Sequence, residues 1–390
     1  MENIYLDWAA TGIPEEGTPK ITFANPSSVH TMGTEARQLL EKARDKFATL
    51  LKLPGRSVIF TSGGTEANNI TIFSPLNTIN IKNILKRRLK IITTSIEHPS
   101  VYEPINFLTR FGFEIIHIDP EPNGIINPEK IYKEIDTEVI LISVMAVNNE
   151  TGAIQPIAEI GEIVEDYSVK MGKKIIFHTD AVQALGKIPF EPKKLKIGAA
   201  SFSAHKLGAP KGVGALYTVE NTNISSLFKG GGQEFNKRPG TENLEGIVSF
   251  VTALEKRIKE LDKNYTKASQ LSTTLLDGLR EIRGVIIVPR ERLQKPTKYS
   301  PYIIDVSFPP IPSEVLVRAF AQRGLMVSAG SACSSHRREK RGRVLKAMGL
   351  SEKVINSTVR FSLGYTTTKG EIEEAIKIVK ESIEKLFRYV

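Results

Sequence analysis

An acid and a lysine, each at the end of a short strand-like segment, suggest the chemistry of this chain. Asp180 directly follows the strand-like residues 174–179. Lys206 comes shortly after the strand-like residues 199–203 and is followed by a glycine-rich stretch. A carboxylate can keep a ring nitrogen protonated, and a lysine amine can bond to an aldehyde. A lone lysine after a strand is usually an ordinary surface residue. Asp180 and Lys206 together instead predict a site for pyridoxal 5'-phosphate (PLP).

A turn between a strand and a helix could hold the phosphate of that cofactor. Residues 61–67 contain Gly64 and Thr65 at the predicted start of a helix. Glycines let backbone amides approach an anion, and a helix N-terminus adds partial positive charge. The same sequence also suits an ordinary strand-to-helix turn. Ser203 and His205, just before Lys206, could donate further hydrogen bonds to phosphate oxygens.

Three other side chains are candidates for contacts with the cofactor ring. His98 follows the predicted strand 91–95, at the strand end where ligands bind in open α/β sheets. Its imidazole could stack on the ring and transfer protons, or it could simply cap the next helix. Asn149 could bond the ring hydroxyl, although an Asn near Gly often marks a turn. Gln183, one helical turn after Asp180, could reach the same ring.

Composition and charge restrict the protein class. The chain has 390 residues, of which 41% are hydrophobic and 25% charged, with a net charge of +10. The basic residues are spread along the chain among many acids, so we expect a generally basic surface and no direct binding of nucleic acid. The first residues do not resemble a signal peptide, and no apolar run reaches the ~18 residues of a membrane span. We therefore expect a cytoplasmic protein with no membrane partner.

Buried strands that alternate with helices predict an α/β fold with a largely parallel sheet. Apolar residues spaced by three and four predict a helix over residues 34–51, and helical sequence extends over about 243–283. We predict a large α/β domain over residues 13–255 and a smaller α+β domain over 256–390. Residues 1–12 are expected to pack on the smaller domain. Apolar runs that predict strands occur at 58–60, 91–93, 113–118, 139–144, 175–177, 199–202, 213–217, 284–289, 302–308, 325–328 and 358–363.

Taken together, the ordered motifs of this chain resemble those of the NifS/IscS-type cysteine desulfurases. These proteins are class-V aminotransferase-like members of the fold-type I PLP enzymes. The resemblance implies a PLP-dependent transferase fold, with a three-layer large domain and a smaller C-terminal domain, and it implies a homodimer. The motifs lie at residues 5–11, 25–30, 61–66, 147–152, 178–183, 201–206, 230–234, 328–333 and 360–364.

The resemblance also implies a role for each candidate residue. Lys206 would bond the cofactor, Asp180 would bind the pyridine nitrogen, and His98 would stack on the ring. Arg360 would clamp the substrate carboxylate, a task that suits the planar guanidinium, and Asn25 would assist it. The other implied cofactor contacts are Gly64, Thr65, Asn149, Gln183, Ser203, His205 and, contributed by the partner subunit, Thr241.

Cys333 is the only cysteine in the chain, so neither an internal disulfide nor a cysteine-ligated metal cluster can form within it. A lone cysteine is often a buried structural residue. Small and polar neighbours, followed by Arg337 and Arg338, instead favour an exposed thiol whose thiolate is stabilised by positive charge. In the family that it resembles, this loop cysteine accepts sulfur from the substrate as a persulfide, and alanine is released.

The leading hypothesis is therefore an L-cysteine desulfurase that supplies sulfur for iron–sulfur cluster assembly or tRNA thiolation. The sequence does not say whether the acceptor is a cluster scaffold or a tRNA-thiolation enzyme. One alternative is a selenocysteine lyase or an aminotransferase-like enzyme with the same cofactor. Another is a binding protein, either a catalytically idle sulfur carrier or a basic RNA-binding scaffold, and the intact Lys206, Asp180 and Cys333 argue against it.

Overall fold

The computed structural model describes residues 3–14, 23–220, 222–330 and 342–389. Most of the described strands coincide with apolar runs in the sequence, which alternate with amphipathic helices. The strands are β1 (Ile4–Tyr5), β2 (Val58–Thr61), β3 (Lys90–Thr94), β4 (Glu114–Ile118), β5 (Val139–Ser143), β6 (Ile176–Asp180), β7 (Ala199–Ser203), β8 (Gly214–Thr218), β9 (Ile286–Val288), β10 (Ile303–Ser307), β11 (Leu325–Met326), β12 (Ser328–Ala329) and β13 (Thr358–Ser362).

The described helices flank these strands in the sequence. None of them is long and apolar enough to cross a membrane. The helices are α1 (Thr31–Leu50), α2 (Gly64–Thr78), α3 (Ile81–Arg87), α4 (Pro99–Phe107), α5 (Pro128–Glu134), α6 (Ile157–Met171), α7 (Gln233–Asn236), α8 (Leu244–Lys259), α9 (Leu261–Arg280), α10 (Ser313–Ala321), α11 (Arg343–Ala347), α12 (Glu352–Asn356) and α13 (Lys369–Leu386).

Seven of the described strands form the central sheet, in the order β2-β8-β7-β6-β5-β3-β4. Strand β8 is antiparallel to both of its neighbours, and the other pairings are parallel. Every residue of β2, β7 and β8 is buried, which is typical of a sheet covered by helices on both faces. The predicted α/β fold with a mainly parallel sheet is therefore confirmed.

The parallel pairing brings several candidate residues to one edge of this sheet. Strand β6 ends at Asp180 and its parallel neighbour β7 ends at Ser203, three residues before Lys206. Strand β3 runs in the same direction and ends at Thr94, shortly before His98. Because parallel strands share their carboxyl edge, side chains that follow them meet on the same side of the molecule.

A second sheet lies in the C-terminal part, with four described antiparallel strands in the order β12-β13-β10-β9. Helices α9, α10 and α13 contribute to its hydrophobic core, as do Ile4 and Leu6 from the N-terminus. Strand β1 pairs in parallel with β11. Helix α8 runs through residues 255 and 256, where the sequence suggested a domain boundary, and the division into 13–255 and 256–390 stays a prediction.

A buried ion pair joins helix α1 to the segment that precedes Thr241. Arg44 donates from Nη1 and Nη2 to the two carboxylate oxygens of Glu234, over 2.6 and 2.8 Å. The guanidinium also lies over the rings of Phe60 and Phe235. Glu234 Oε2 accepts a hydrogen bond from the backbone amide of Phe60 at 2.7 Å. The carboxylate therefore holds residues 233–236 against the edge strand β2.

The segment held by this ion pair has an unusual backbone. Glu234, Phe235 and Asn236 have φ angles of 48°, 58° and 62°, in the left-handed region that non-glycine residues rarely adopt. Such a conformation is retained only where surrounding contacts hold it. Arg44 and Glu234 provide such contacts.

We predict that Glu234→Gln destabilises the protein by about 3 kcal/mol or more, because the buried Arg44 would lose its buried counter-charge and keep only the half-exposed Glu41. Denaturant unfolding of the purified variant measures this change. Glu255→Gln is the matched control, since Glu255 pairs with Lys46 of the same helix α1 and both side chains are about half exposed. That control should lose less than about 1 kcal/mol. Equal losses in the two variants would contradict the prediction.

Candidate active site

Lys206 lies in a short 3-10 turn, Ala204–Leu207, directly after β7. Its Nζ donates to the backbone carbonyls of Ala9, at 2.6 Å, and Ala10, at 2.5 Å. The backbone amide of Gly12 in turn donates to the carbonyl of His205 at 2.8 Å. A side chain at Gly12 would bring its Cβ within 2.8 Å of the backbone nitrogen of Gly208. The N-terminal segment therefore crosses closely over the lysine.

Asp180 ends β6 and is only 6% exposed. Its Oδ1 accepts a hydrogen bond from the backbone amide of Val182 at 3.0 Å. Its Oδ2 accepts from the side-chain amide of Asn68, on helix α2, at 2.8 Å. Both carboxylate oxygens are thus held by donors. A carboxylate oriented in this way suits a protonated ring nitrogen.

His98 caps helix α4, so the structure contains the capping arrangement that the sequence left open. Its Nδ1 accepts from the backbone amide of Ser100 at 3.1 Å and lies 2.7 Å from Ser100 Oγ. Burial is the main cause of a lowered pKa for this imidazole. A cap and a ring contact are compatible, because the cap occupies only one of the two ring nitrogens. The stacking role stays a prediction.

The predicted phosphate site lies where the N-terminus of α2 meets the end of β7. A Cβ on Gly64 would be 2.7 Å from Val182 Cγ2 and 3.5 Å from the Cβ of the buried Ser203, so glycine permits this close approach. Thr65 is exposed at the helix start. The hydroxyl of Thr11 and Nδ1 of His205 are 2.9 Å apart. Burial and the nearby Lys206 lower the pKa of His205 to about 4, so its imidazole is neutral at pH 7.

Gln183 is buried beside the lysine, and its amide is held from both sides. Its Nε2 donates to the Ala9 carbonyl at 3.0 Å, and its Oε1 accepts from Lys187 Nζ at 2.7 Å. Lys187 is only 2% exposed. Burial and the charges of Lys206 and Arg360 lower its pKa to about 7. The contact of Gln183 with a cofactor ring stays a prediction.

Arg360 lies on β13 and is only 3% exposed. Its Nη1 donates to the backbone carbonyl of Asn149 at 2.8 Å, and its Nη2 donates to Asp7 Oδ1 at 3.0 Å. The same Asp7 oxygen accepts from Ser328 Oγ at 2.7 Å. Arg360 Nε is buried and has no hydrogen-bond partner among the described residues. These bonds use two of the five N–H donors of the guanidinium, so N–H donors remain for a carboxylate.

The loop that carries Asn149 is shaped by the preceding asparagine. Asn148 Oδ1 accepts from the backbone amides of Glu150 and Thr151 at 3.0 and 2.8 Å. Asn148 is therefore the asparagine that stabilises the turn, whereas the backbone carbonyl of Asn149 accepts a hydrogen bond from Arg360. A bond from the Asn149 side chain to a ring hydroxyl stays a prediction.

Two predicted residues are not brought into these contacts, and a third lies in a part of the chain that the structure does not describe. Asn25 is exposed, and its Oδ1 accepts from the amide of Ser27 at 2.8 Å. No hydrogen bond joins Asn25 to Arg360 among the described parts of the chain, so its assisting role stays a prediction. Thr241 is exposed in the single chain. Cys333 lies outside the described residues.

Sequence reasoning did not find several buried or partly buried polar groups around the site. They are Asp7, Asn68, Glu97, Ser100 and Lys187. Glu97, next to His98, is 1% exposed, and its Oε1 accepts from Thr94 Oγ1 and the amide of Met145. Lys187 follows Gln183 by four residues, a spacing that could have signalled it. The hydrogen-bonding role of Asn68 had no comparable local signal.

The residues gathered at the sheet edge fit PLP. A buried carboxylate at Asp180 matches a ring nitrogen, and the amine of Lys206 matches an aldehyde. The N-terminus of α2, with Ser203 and His205, provides donors for a phosphate. The described residues contain no group of three or more acids, histidines or cysteines arranged to bind a metal ion.

We predict that Glu97→Gln flattens the pH dependence of stability. Burial raises the pKa of Glu97 from 4.5 to about 8, so between these values the native state binds a proton that the unfolded chain has released. This group therefore lowers the free energy of unfolding as pH rises through that window, by up to about 1.4 kcal/mol per pH unit. Denaturant unfolding at several pH values should show that the free energy of unfolding decreases less with rising pH in the variant than in the wild type.

Glu35→Gln is the control for this measurement, because Glu35 is exposed on helix α1. Its pH profile should match that of the wild type. A Glu97→Gln profile as steep as the wild-type profile would contradict the prediction.

Comparison with known proteins agrees with this geometry. The family model described as aminotransferase class-V matches residues 5–374. Cysteine desulfurase IscS of Dictyoglomus turgidum is 37% identical, over 98% of this chain and 95% of the relative. Putative cysteine desulfurase IscS 1 of Bacillus subtilis is 35% identical, over 99% of this chain and all of the relative.

Solved structures give the same result. A NifS-like protein superposes with a TM-score of 0.87 at 34% identity, and the match covers the whole of both chains. A NifS-like protein from Rickettsia africae superposes with a TM-score of 0.83 at 30% identity, over 98% of this chain and all of that one. The chain therefore belongs to the class-V aminotransferase family, as a homologue of the IscS and NifS-like cysteine desulfurases.

Proposed function

We propose that this protein is a PLP-dependent cysteine desulfurase, which converts L-cysteine to L-alanine and carries the released sulfur as a persulfide on Cys333. The observation that carries the proposal is the position of Asp180 and Lys206 at the carboxyl ends of two adjacent parallel strands. The IscS relatives match 98% of this chain at 36% and 37% identity, which supports the same activity.

In this proposal, the residues of the sheet edge hold the cofactor. Lys206 would bond its aldehyde, Asp180 would keep its ring nitrogen protonated, and the N-terminus of α2 would hold its phosphate together with Ser203 and His205. When bound, PLP supplies an electrophilic carbon and a ring that stabilises negative charge on the substrate Cα.

Arg360 and Lys206 then act on the substrate. Arg360 clamps the carboxylate of L-cysteine, and its partner Asp7 orients the guanidinium. Lys206 Nζ would take the proton from the substrate Cα. The side chain is half-buried and its Nζ donates to two backbone carbonyls, which limits the positions that the amine can take.

Cys333 accepts the sulfur. Its thiolate bonds to the substrate sulfur, the carbon–sulfur bond breaks, and the substrate Cβ gains a proton to become the methyl group of alanine. The sum is L-cysteine plus the Cys333 thiol giving L-alanine plus the Cys333 persulfide, so no external oxidant or reductant is needed. The persulfide then passes to an acceptor protein, a cluster scaffold or a tRNA-thiolation enzyme.

The proposed active unit is a homodimer. Phe23 and Val29 are 90% and 93% exposed, so these two large apolar side chains are accessible for contact with a second chain. Thr241 is also exposed, on the segment that follows the Arg44–Glu234 ion pair. We propose that Thr241 completes the phosphate site of the partner subunit.

The activity is tested directly with purified protein. We expect yellow protein that forms alanine from L-cysteine, with sulfide released when a thiol reductant is present. Lys206→Ala should lose both the covalently bound cofactor and activity. Cys333→Ala should remain yellow but fail to form the persulfide, because the cofactor site is intact and the acceptor thiol is missing.

Lys211→Ala is the matched control for Lys206→Ala, since Lys211 is exposed and only five residues away. It should keep colour and activity. Undiminished persulfide formation by Cys333→Ala would contradict the proposal. Faster turnover of selenocysteine, or amino transfer to a keto acid, would favour a lyase or an aminotransferase. Salt-sensitive tRNA binding without alanine formation would favour an RNA-binding scaffold.

Mixed dimers test the role of Thr241 sharply. Thr241→Ala and Lys206→Ala chains should each bind the cofactor poorly. If Thr241 acts on the partner's site, a dimer of one chain of each kind contains one fully intact site, and mixing should restore cofactor absorbance. If Thr241 acts on its own site, neither site is intact and mixing restores nothing. Light scattering that shows a monomer with bound cofactor would contradict the dimer.

A further inference from the structure

A chain of hydrogen bonds joins Asp180 to His98 through two residues of different helices. Asn68, on α2, donates from Nδ2 to Asp180 Oδ2 at 2.8 Å and to Ser100 Oγ at 2.8 Å. Ser100, on α4, lies with its Oγ 2.7 Å from His98 Nδ1. Asn68 is fully buried and Ser100 is 9% exposed. Two of the groups predicted to contact the cofactor ring, Asp180 and His98, thus share one buried network.

The direction of each bond in this network follows from the carboxylate. A carboxylate accepts hydrogen bonds and does not donate them, so the NH2 group of Asn68 must face Asp180. The same nitrogen donates its second hydrogen to Ser100 Oγ. The hydroxyl hydrogen of Ser100 is then available to His98 Nδ1, which lies within hydrogen-bond distance.

The same hydrogen bonds determine which nitrogen of the His98 ring carries a proton. Its Nδ1 also accepts the backbone amide hydrogen of Ser100 at 3.1 Å, so two donors point at this nitrogen. A nitrogen that accepts hydrogen bonds carries no proton, and a neutral imidazole then has its proton on the other nitrogen. Burial lowers the pKa of His98, which favours the neutral ring near pH 7.

We infer that Asn68 and Ser100 are positioning residues for the desulfuration reaction. They hold the Asp180 carboxylate in one orientation and fix His98 as the tautomer with its proton on Nε2. Nε2 is therefore the His98 atom that can present a proton at the ring face. The catalytic consequence rests on the proposed function, whereas the tautomer and the carboxylate orientation do not.

A purely structural role makes a different prediction. Capping of α4 requires only the backbone amide of Ser100 and Nδ1 of His98, which do not involve Asn68. Loss of Asn68 would then lower stability without any effect on the imidazole or on a bound cofactor. Measurements of the imidazole and of the cofactor therefore separate the two roles.

The first experiment is nitrogen-15 NMR of protein labelled at its six histidines, without cofactor. A His98→Asn variant identifies the His98 signals. We expect a protonated Nε2 and an unprotonated Nδ1 in the wild type. Ser100→Ala should populate the second tautomer to a measurable extent, and Ser100→Thr, which keeps a hydroxyl, should restore the wild-type pattern. A wild-type ring protonated on Nδ1 would overturn the inference.

The second experiment uses the cofactor-loaded protein and Asn68→Leu, which keeps the side-chain shape but removes both donors. We expect a dissociation constant for PLP raised about tenfold and a shifted pH midpoint of cofactor absorbance, because Asp180 loses a donor to its carboxylate. Asn77→Leu is the matched control, since Asn77 is exposed on the same helix and donates to the Ser226 carbonyl. It should leave both values unchanged.

A folded Asn68→Leu protein with wild-type cofactor affinity and absorbance would overturn the inference. If this variant does not fold, Ser100→Ala, which removes a single hydroxyl, provides the same two measurements. Unchanged values in that variant, together with an unchanged His98 tautomer, would likewise overturn it. Absence of alanine formation in the wild type would refute the proposed function while leaving the NMR and cofactor-binding results valid.

Discussion

The parallel pairing of β5, β6 and β7 is the constraint on which the site depends. It fixes the register of Asp180 opposite Ser201, so the acid and the turn that carries Lys206 lie side by side at one edge of the sheet. If one of these strands slipped by one residue along its neighbour, every one of its side chains would turn to the opposite face of the sheet, and the buried packing would be lost. The free-energy cost of such a slip keeps Asp180 and Lys206 in their relative position, although they are 26 positions apart in the chain.

The N-terminal segment connects this edge to the second sheet. The carbonyl of Ala9 accepts from both Lys206 and Gln183, while Asp7, two residues earlier, holds Arg360 of β13. A segment of a few residues therefore contacts the lysine at one end and the arginine at the other. Any shift of the second sheet relative to the first would change the distance between these two cations, so the segment ties substrate binding to the position of the amine.

The sequence was sufficient to predict features whose chemistry is local. Strand ends, the glycine-rich turn and the order of Asp180 and Lys206 are visible in a short window, because the side chain and its backbone context are adjacent. Asn68 was missed because its function arises from a contact with a residue 112 positions away, and a buried asparagine on a helix has no distinctive pattern. The roles expected of Asn25 and Thr241 would involve a substrate or a second chain, so they could be inferred only from the family resemblance.

The hydrogen bond from the Phe60 amide to Glu234 has a consequence for solubility. Strand β2 is the last strand on its side of the central sheet, and an exposed strand edge can pair with the edge of another molecule. The Glu234 carboxylate accepts the hydrogen bond of one backbone N–H of this edge, that of Phe60, and the Arg44 guanidinium binds the same carboxylate. The same ion pair that shapes the loop leading to Thr241 thus also hinders pairing of the β2 edge with a neighbouring molecule, which disfavours aggregation through this edge.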